Sequence, residues 1–468
     1  MSITLYTPAT GFPDLEVKIA YGLARVGIEA AGLDKVSLNN EGGFYSIKIN
    51  DDKIEKLNGA FNLICRKVLS SKYIPFSTPG ITGRSAESIP IAPEETFNLN
   101  KYNKIAVLRE NRKPENVCGH EGLSVGNIIG FTTSTSYHHT RDGVDVSIQQ
   151  NMPRRPTNPK NICKTCALLS LLGTWYATFI FNLYDKEVIV IPIPKGDLNG
   201  NRLQEIFSLQ HQIRKDHLSL KVPQTLIPLI FLSKLPSSAD ILKNFDLFIG
   251  VLGRQQGYHV DGLFLIPIER YLDYLHKTPF NIAIVDKLIR KELYASLIEL
   301  NKSIYLFDRD ALLNFSRLYV KETSDNNYIN LLYPETAKYL LKEVAMIKNE
   351  FIENKAILSL ARTLRYFIKE RKYGYADDIR NARKDSRDFE ETIAKMLREG
   401  ELRRVQQEQD KKSGKRIDNW IHMPNEDDVK EVFRLANNDF ESTKLALVML
   451  AFSFPTTGDK GEKAEVNN

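Results

Sequence analysis

Apolar residues recur at three- and four-residue steps in several segments, which predicts amphipathic helices. Pro13-Asp14 can open the first of these, with Asp14 placed as a capping residue, and Leu15, Ile19 and Leu23 follow at helical spacing. The same period returns over 54–69. The start of the chain therefore contains two predicted helices.

Strand patterns alternate with these helical ones. Tyr45, Ile47 and Ile49 alternate with more polar residues, as in a strand with one buried face. Three apolar runs predict buried strands farther along: Glu187–Pro194, Phe245–Leu252 and Gly262–Ile268.

From Pro334 onward the pattern is almost entirely helical. Apolar steps run from Leu340 to Phe367, and three further amphipathic segments follow: Asp388–Glu399, Asp427–Ala436 and Phe440–Phe452. We predict an α+β fold, with a mixed N-terminal and middle body, a loop region closed by zinc, and a C-terminal helical bundle. The predicted parts are 1–108 (α/β), 109–166 (loop-rich zinc-binding insertion), 167–333 (α+β remainder), 334–455 (helical bundle) and 456–468 (flexible tail).

The segment 167–184 holds 18 residues without a charge, near the lower limit for a membrane span. It also contains Ser170, Thr174 and Asn182, and no basic cluster follows it, so we predict a buried helix. The N-terminus lacks a secretory pattern and the chain has 4 cysteines, which favours a reducing cytoplasmic location and no membrane partner.

The positive charge is concentrated in one region. The chain carries 64 Lys and Arg against 58 Asp and Glu, a surplus of 6, and residues 361–416 alone account for a surplus of 6. A basic region of this kind suits a polyanionic partner. Charge runs on bundle helices are also often solvated faces with internal ion pairs, and this alternative stays open.

Cysteine spacing indicates a metal site in the loop-rich region. Cys163 and Cys166 can bind one ion from a tight turn, and Cys118 with His120 would complete a tetrahedral shell that suits structural zinc. His138 or His139 could replace His120 as the fourth ligand. The alternatives are that Cys163 and Cys166 are simply a buried pair, or that they form a redox motif.

Two groups of residues are candidates for nucleic-acid contact. Cations, imidazoles and an amide on the loops beside the proposed metal suit phosphates and base edges: His138, His139, Arg141, Arg154, Arg155, Asn158 and Lys160. The second group lies in the bundle, where cations alternate with Tyr366, Tyr373 and Tyr375 as in sites for single strands: Arg362, Arg365, Lys369, Arg371 and Lys372.

No catalytic motif stands out, so we expect a protein that is not an enzyme. The segment from Pro13 to Lys18 matches the residue types of a PD…ExK nuclease motif. Its charged residues Asp14, Glu16 and Lys18 all fall within one predicted helix, however, so we do not interpret them as an active site. No P-loop is present. A metal-dependent nuclease acting on DNA remains the alternative hypothesis.

These residues resemble the large subunit of archaeal type I-A CRISPR interference complexes (Cascade). Thr10-Gly11-Phe12-Pro13-Asp14 is similar to that family's opening pattern, and Cys163-Lys164-Thr165-Cys166 before an apolar helix is similar to its second CxxC. Cys118-Gly119-His120 stands where some members carry a first CxxC.

The resemblance implies a DNA-binding subunit of a ribonucleoprotein complex guided by crRNA. Such a subunit would probe duplex target DNA for the protospacer-adjacent motif, support strand opening and hold the displaced strand. Its partners would be the other subunits of the complex and an associated helicase–nuclease.

Overall fold

The structure is a computed structural model. It describes residues 2–9, 13–51, 54–69, 99, 118, 124–125, 162–183, 186–214, 222–235, 239–253, 259–326, 328–384 and 387–455. These residues form two compact units. The first contains 1–224 and 235–269, and the second contains 225–234 and 270–468. The helical unit thus begins earlier than the predicted boundary at 334, and the predicted tail lies outside the described residues.

The described strands all lie in the first unit. They are β1 (Ile3–Tyr6), β2 (Val36–Asn40), β3 (Tyr45–Ile49), β4 (Ser124–Val125), β5 (Ile162–Cys163), β6 (Phe179–Leu183), β7 (Lys186–Pro194), β8 (Leu198–Asn199), β9 (Phe245–Gly253) and β10 (His259–Pro267). Two antiparallel four-stranded sheets result, in the orders β1-β3-β2-β8 and β10-β9-β7-β6, and β4 pairs with β5.

Four described helices belong wholly to the first unit: α1 (Pro13–Ala31), α2 (Ile54–Leu69), α3 (Lys164–Ala177) and α4 (Gly200–Arg214). The later helices are α5 (Ile227–Ser233), α6 (Glu269–Lys277), α7 (Pro279–Arg290), α8 (Tyr294–Leu306), α9 (Arg309–Thr323), α10 (Pro334–Tyr339), α11 (Asn349–Ile352), α12 (Lys355–Lys369), α13 (Gly374–Asn381), α14 (Asp388–Lys412), α15 (Glu426–Asn438) and α16 (Phe440–Ala451). The mixed α+β class and the helical C-terminal region are therefore confirmed.

Helices α1 and α3 meet at their backbones, and glycine makes this contact possible. A Cβ atom added to Gly173 would lie 1.9 Å from the carbonyl oxygen of Lys18, and one added to Gly22 would lie 2.1 Å from that of Leu169. Only a residue without a side chain fits at either position. The Tyr21 hydroxyl, also on α1, donates to the Pro192 carbonyl oxygen at 2.7 Å and so joins α1 to the second sheet.

This close packing buries charged groups on α1. Asp14 and Lys18 are each about 1% exposed or less, and their charged atoms are 3.8 Å apart. Burial raises the pKa of Asp14 and lowers that of Lys18, because each charged form loses its hydration. Asp14 lies inside α1, one residue after its first residue Pro13, so it is not the residue that precedes the helix and caps it.

The uncharged segment 167–184 is divided between two elements. Its first part belongs to α3, which ends at Ala177, and Phe179–Leu183 forms β6. Ser170 and Thr174 are buried in the unit. Across the described ranges, no helix is both long and apolar enough to cross a membrane.

Side-chain caps determine where several helices of the second unit begin. Asn354 accepts hydrogen bonds from the backbone amides of Ala356 and Ile357 at the start of α12. Asn425 and Asp428 form a reciprocal capping box at the start of α15. Such caps satisfy amides that have no partner within the helix.

The apolar pattern from Leu340 to Phe367 predicts one helical run, but the structure breaks it into three. Residues Leu340–Val344 form a π-helix directly after α10, and Met346 then adopts a left-handed conformation with φ of 55°. The pattern of buried positions persists through these interruptions, which is why spacing alone did not reveal them.

We expect Gly173→Ala to destabilise the first unit by about 1–3 kcal/mol, because the new methyl group forces α1 and α3 apart. Gly59→Ala in α2 is the matched control, since a Cβ there meets nothing within 4 Å. The measurement is urea unfolding followed by Trp175 fluorescence in a Trp420→Phe background, where Trp175 is the one remaining tryptophan. Equal urea midpoints for the two alanine variants would contradict the packing described here.

Candidate nucleic-acid interface

Two of the predicted zinc ligands are buried thiols. Cys118 is 2% exposed and Cys166, in the first turn of α3, is fully buried. Pairing of β4 with β5 places Ser124 opposite Cys163. Ser124 and Val125, six and seven positions after Cys118, therefore lie beside Cys163 and Ile162.

The remaining metal candidates cannot be placed in the same way. His120, His138 and His139 lie outside the described residues, as does the side chain of Cys163. Within the described ranges, no three His, Cys, Asp or Glu side chains form a group that could hold a metal. Zinc therefore stays a prediction. The thiol of Cys65 lies in the core as expected, and burial raises its pKa.

The loop candidates for nucleic-acid contact also lie outside the described residues. These are Arg141, Arg154, Arg155, Asn158 and Lys160, together with the two histidines His138 and His139.

Arg365 is not an exposed cation. Its side chain is 5% exposed, and its Nη2 donates to the carbonyl oxygen of Leu450 in α16 at 2.8 Å. The sequence-based prediction of phosphate contact by Arg365 is therefore corrected to a structural role inside the bundle. Arg362 and Lys369, on the same helix α12, are half-buried.

Lys372 is exposed but its charge is compensated. Its Nζ lies 2.5 Å from Glu399, which also accepts a hydrogen bond from the Tyr375 hydroxyl at 2.6 Å. These hydrogen bonds lower the pKa of Glu399. Tyr366 is 7% exposed, and the rings of Tyr366 and Tyr375 both pack against the ring of Phe367. These two tyrosine rings are therefore not open for stacking on a base.

Ion pairs with carboxylates compensate part of the excess positive charge of residues 361–416. Among the described residues, five further cations pair with neighbouring carboxylates: Lys395 with Glu391, Arg403 with Glu399, Arg404 with Glu401, Lys415 with Asp410, and Arg416 with Asp418. Such exposed pairs contribute little to stability, but they reduce the charge that a polyanion meets.

Arg371 belongs to a different basic group, which we call the α7 cationic cluster: Lys287, Arg290, Lys291 and Arg371. The first three lie at the C-terminal end of α7, and Arg371 follows α12 with φ of 61°. Arg371 donates to the backbone oxygen of Asp325. The Asp325 carboxylate acts electrostatically on Lys287, so Lys287 and Arg371 both approach the turn that contains Asp325. Arg290 and Lys291 act on Lys287 and complete the cluster.

The cluster retains unbalanced positive charge. Burial, together with the neighbouring charges of Lys291 and Arg290, lowers the pKa of Lys287 despite the opposing effect of Asp325. Repulsion among cations of this kind is relieved by an incoming anion. Arg290, Lys291 and Arg371 are exposed and reach solvent.

An open aromatic ring stands on the same turn. Tyr328 is 54% exposed, and its backbone amide donates to the Asp325 carboxylate at 2.9 Å. The turn therefore carries an exposed ring together with the carboxylate that acts on Lys287, and exposed rings and cations are the groups that bind single strands by base stacking and phosphate contact.

The sequence carries only a weak signal for this cluster. Lys287, Arg290 and Lys291 have the spacing of an ordinary solvated helix face, and Arg371 joins them from a distant part of the chain. The surplus of positive charge in the sequence lies in 361–416, so it does not point to the cations of α7.

Comparison with known proteins gives no family assignment. No family model matches the sequence, and no curated protein is similar enough to count as a relative.

We expect Arg365→Met to lower the stability of the second unit by about 1.5–3 kcal/mol, because a hydrogen bond from a charged buried group is lost. Arg398→Met, an exposed position on α14, is the matched control and should change stability little. The measurement is urea unfolding followed by Trp420 fluorescence in a Trp175→Phe background. Similar midpoints for the two variants would show that Arg365 has no structural role.

Proposed function

We propose that this protein is a non-catalytic DNA-binding subunit of a crRNA-guided antiviral interference complex. In this role it probes the protospacer-adjacent motif and supports strand opening. The α7 cationic cluster is the observation that carries the proposal among the described residues. It combines four cations, the Asp325 carboxylate that acts on Lys287, and the exposed ring of Tyr328 on the same turn as Asp325.

The chemistry of the cluster suits the displaced strand better than the duplex. Arg290, Lys291 and Arg371 offer charge to phosphates, while Tyr328 offers a ring face that an unpaired base can reach. A paired base in a duplex has its faces covered by its neighbours. In the proposed division of labour, the guide RNA reads the sequence by pairing and this chain contacts the DNA backbone.

The sequence motifs supply the rest of the proposal. The Cys118 and Cys163–Cys166 segments resemble the corresponding part of the type I-A large subunit. We propose that zinc organises this region so that its cations face the duplex, and that an associated helicase–nuclease is the partner that cleaves the DNA.

Neutralising the α7 cationic cluster should weaken binding of a single-stranded oligonucleotide and flatten its salt dependence. Each lost phosphate contact reduces the slope of log K against log salt by about 0.7 for single strands. The test variant is Lys287→Gln/Arg290→Gln/Lys291→Gln, and binding is measured by fluorescence anisotropy across a salt series.

The control removes the same number of charges elsewhere in the second unit. Lys395→Gln/Arg404→Gln/Lys430→Gln changes three exposed cations that are each paired along their own helix. The proposal predicts a flatter slope for the cluster variant alone. If both triple variants lower the slope equally, only net charge matters and the cluster is not the interface.

Zinc is tested separately by its content in the purified protein. We expect equimolar zinc by mass spectrometry, lost in Cys118→Ser and in Cys166→Ser because each removes a thiolate ligand. Cys65→Ser is the control, since Cys65 is a core residue of α2. Absence of zinc in the unmodified protein, or its retention in Cys118→Ser, would refute the site.

A further inference from the structure

Three unusual backbone features of the second unit meet at one place. The π-helix Leu340–Val344 is followed by Met346 in a left-handed conformation, and Phe307, at the end of α8, is left-handed as well, with φ of 55°. The Arg309 side chain donates to the Ala345 carbonyl oxygen through Nε at 3.1 Å and Nη2 at 2.7 Å, which ties the two segments together. Strained backbone and π-helical turns are frequent at functional sites.

A pocket of about 320 Å³ lies at this junction. One wall is α6, with Arg270, Asp273 and Lys277 on one face, and the other wall includes Tyr339 and Glu343. The volume is sufficient for one large side chain of a bound partner.

Neither carboxylate of this pocket forms an ion pair with the pocket's own cations, Arg270 and Lys277. Asp273 forms no ion pair among the described residues, and Glu343 approaches only the exposed Lys342, at 3.7 Å. Both carboxylates act on Tyr339, whose pKa is raised first by burial and then by these two charges. The phenol therefore lies in a negative potential.

The cations of the pocket are differently placed. The guanidinium of Arg270 lies 3.9 Å from the centre of the Phe307 ring and donates to the Tyr305 carbonyl oxygen, so it is part of the wall. Lys277 is exposed in the last turn of α6, where it also interacts favourably with the helix dipole. An incoming cation can therefore reach Tyr339 and the carboxylates, although Arg270 limits how strongly it binds.

Two exposed apolar residues lie within two positions of pocket-lining residues in the sequence. Leu306 is 63% exposed and precedes Phe307, and Met346 is 64% exposed and follows the π-helix. Two large apolar side chains held in solvent beside a charged pocket are typical of a protein-binding surface. Binding of a small metabolite would leave these two apolar side chains exposed to water.

We propose that this pocket is a docking site for a protein partner, which inserts an arginine or lysine side chain between Asp273 and Glu343 and packs apolar neighbours on Leu306 and Met346. The site is independent of the α7 cationic cluster and of the function proposed above. Its negative potential and apolar rim also distinguish it from a nucleic-acid surface.

The test uses a synthetic peptide as the probe, acetyl-Ala-Leu-Arg-Leu-Ala-amide, and two analogues with Gln or Glu in place of Arg. Binding to the full chain is measured by competition against a fluorescein-labelled Arg peptide. We expect the Arg peptide to bind about fivefold or more tightly than the Gln peptide, as for a partly exposed ion pair, and the Glu peptide to bind most weakly.

Matched variants assign the preference to the pocket. Asp273→Asn/Glu343→Gln should abolish the preference for Arg, while Glu335→Gln/Glu353→Gln, which removes two exposed carboxylates outside the pocket, should retain it. Leu306→Ser should weaken the Arg and Gln peptides alike. Equal binding of Arg and Gln peptides, tighter binding of the Glu peptide, or the same loss in both double variants would overturn the proposal.

Discussion

The first unit depends on the backbone contact between α1 and α3. Because Gly22 and Gly173 carry no side chain, the two helices approach until the carbonyl groups of one face the glycine of the other. Helix α1 is then enclosed along most of its length, by α3 on one side and by strands of both four-stranded sheets. The burial of Asp14 and Lys18 follows from this enclosure. Their ion pair offsets part of the cost of removing both charges from water, and it is retained because neither residue can reach solvent.

Much of the fold could be predicted from apolar spacing. Helix α2 has the predicted bounds, and the alternating residues Tyr45, Ile47 and Ile49 lie in β3. Strands β7 and β9 are each one residue longer than predicted. The failures concern features that spacing does not encode. The π-helix and the left-handed Met346 preserve the inward position of apolar residues while changing the hydrogen bonds, and the division of 167–184 into α3 and β6 depends on strand partners distant in sequence.

The candidate site was less predictable, because the sequence shows which residues are charged but not which groups they contact in the fold. Arg365 resembles any cation on an amphipathic helix, yet its acceptor, the Leu450 carbonyl, is 85 positions away. Lys372, just after α12, similarly pairs with Glu399 of α14, 27 positions farther along the chain. Conversely, Lys287 and Arg371 gain significance only because both reach Asp325.

The second unit draws helix α5 from a part of the chain that is flanked on both sides by the first unit. All seven residues of α5 are buried, and Lys234 just beyond it binds Asp286 of α7 at 2.7 Å. An expression fragment beginning at Arg270 would therefore lack one apolar layer of its own core and expose the surface that α5 covers. During synthesis, α5 leaves the ribosome before any helix it packs against in this unit. The helical core of the second unit can form completely only after residues 235–269 of the first unit have been synthesised. For the same reason, no single cleavage of the chain separates the two units.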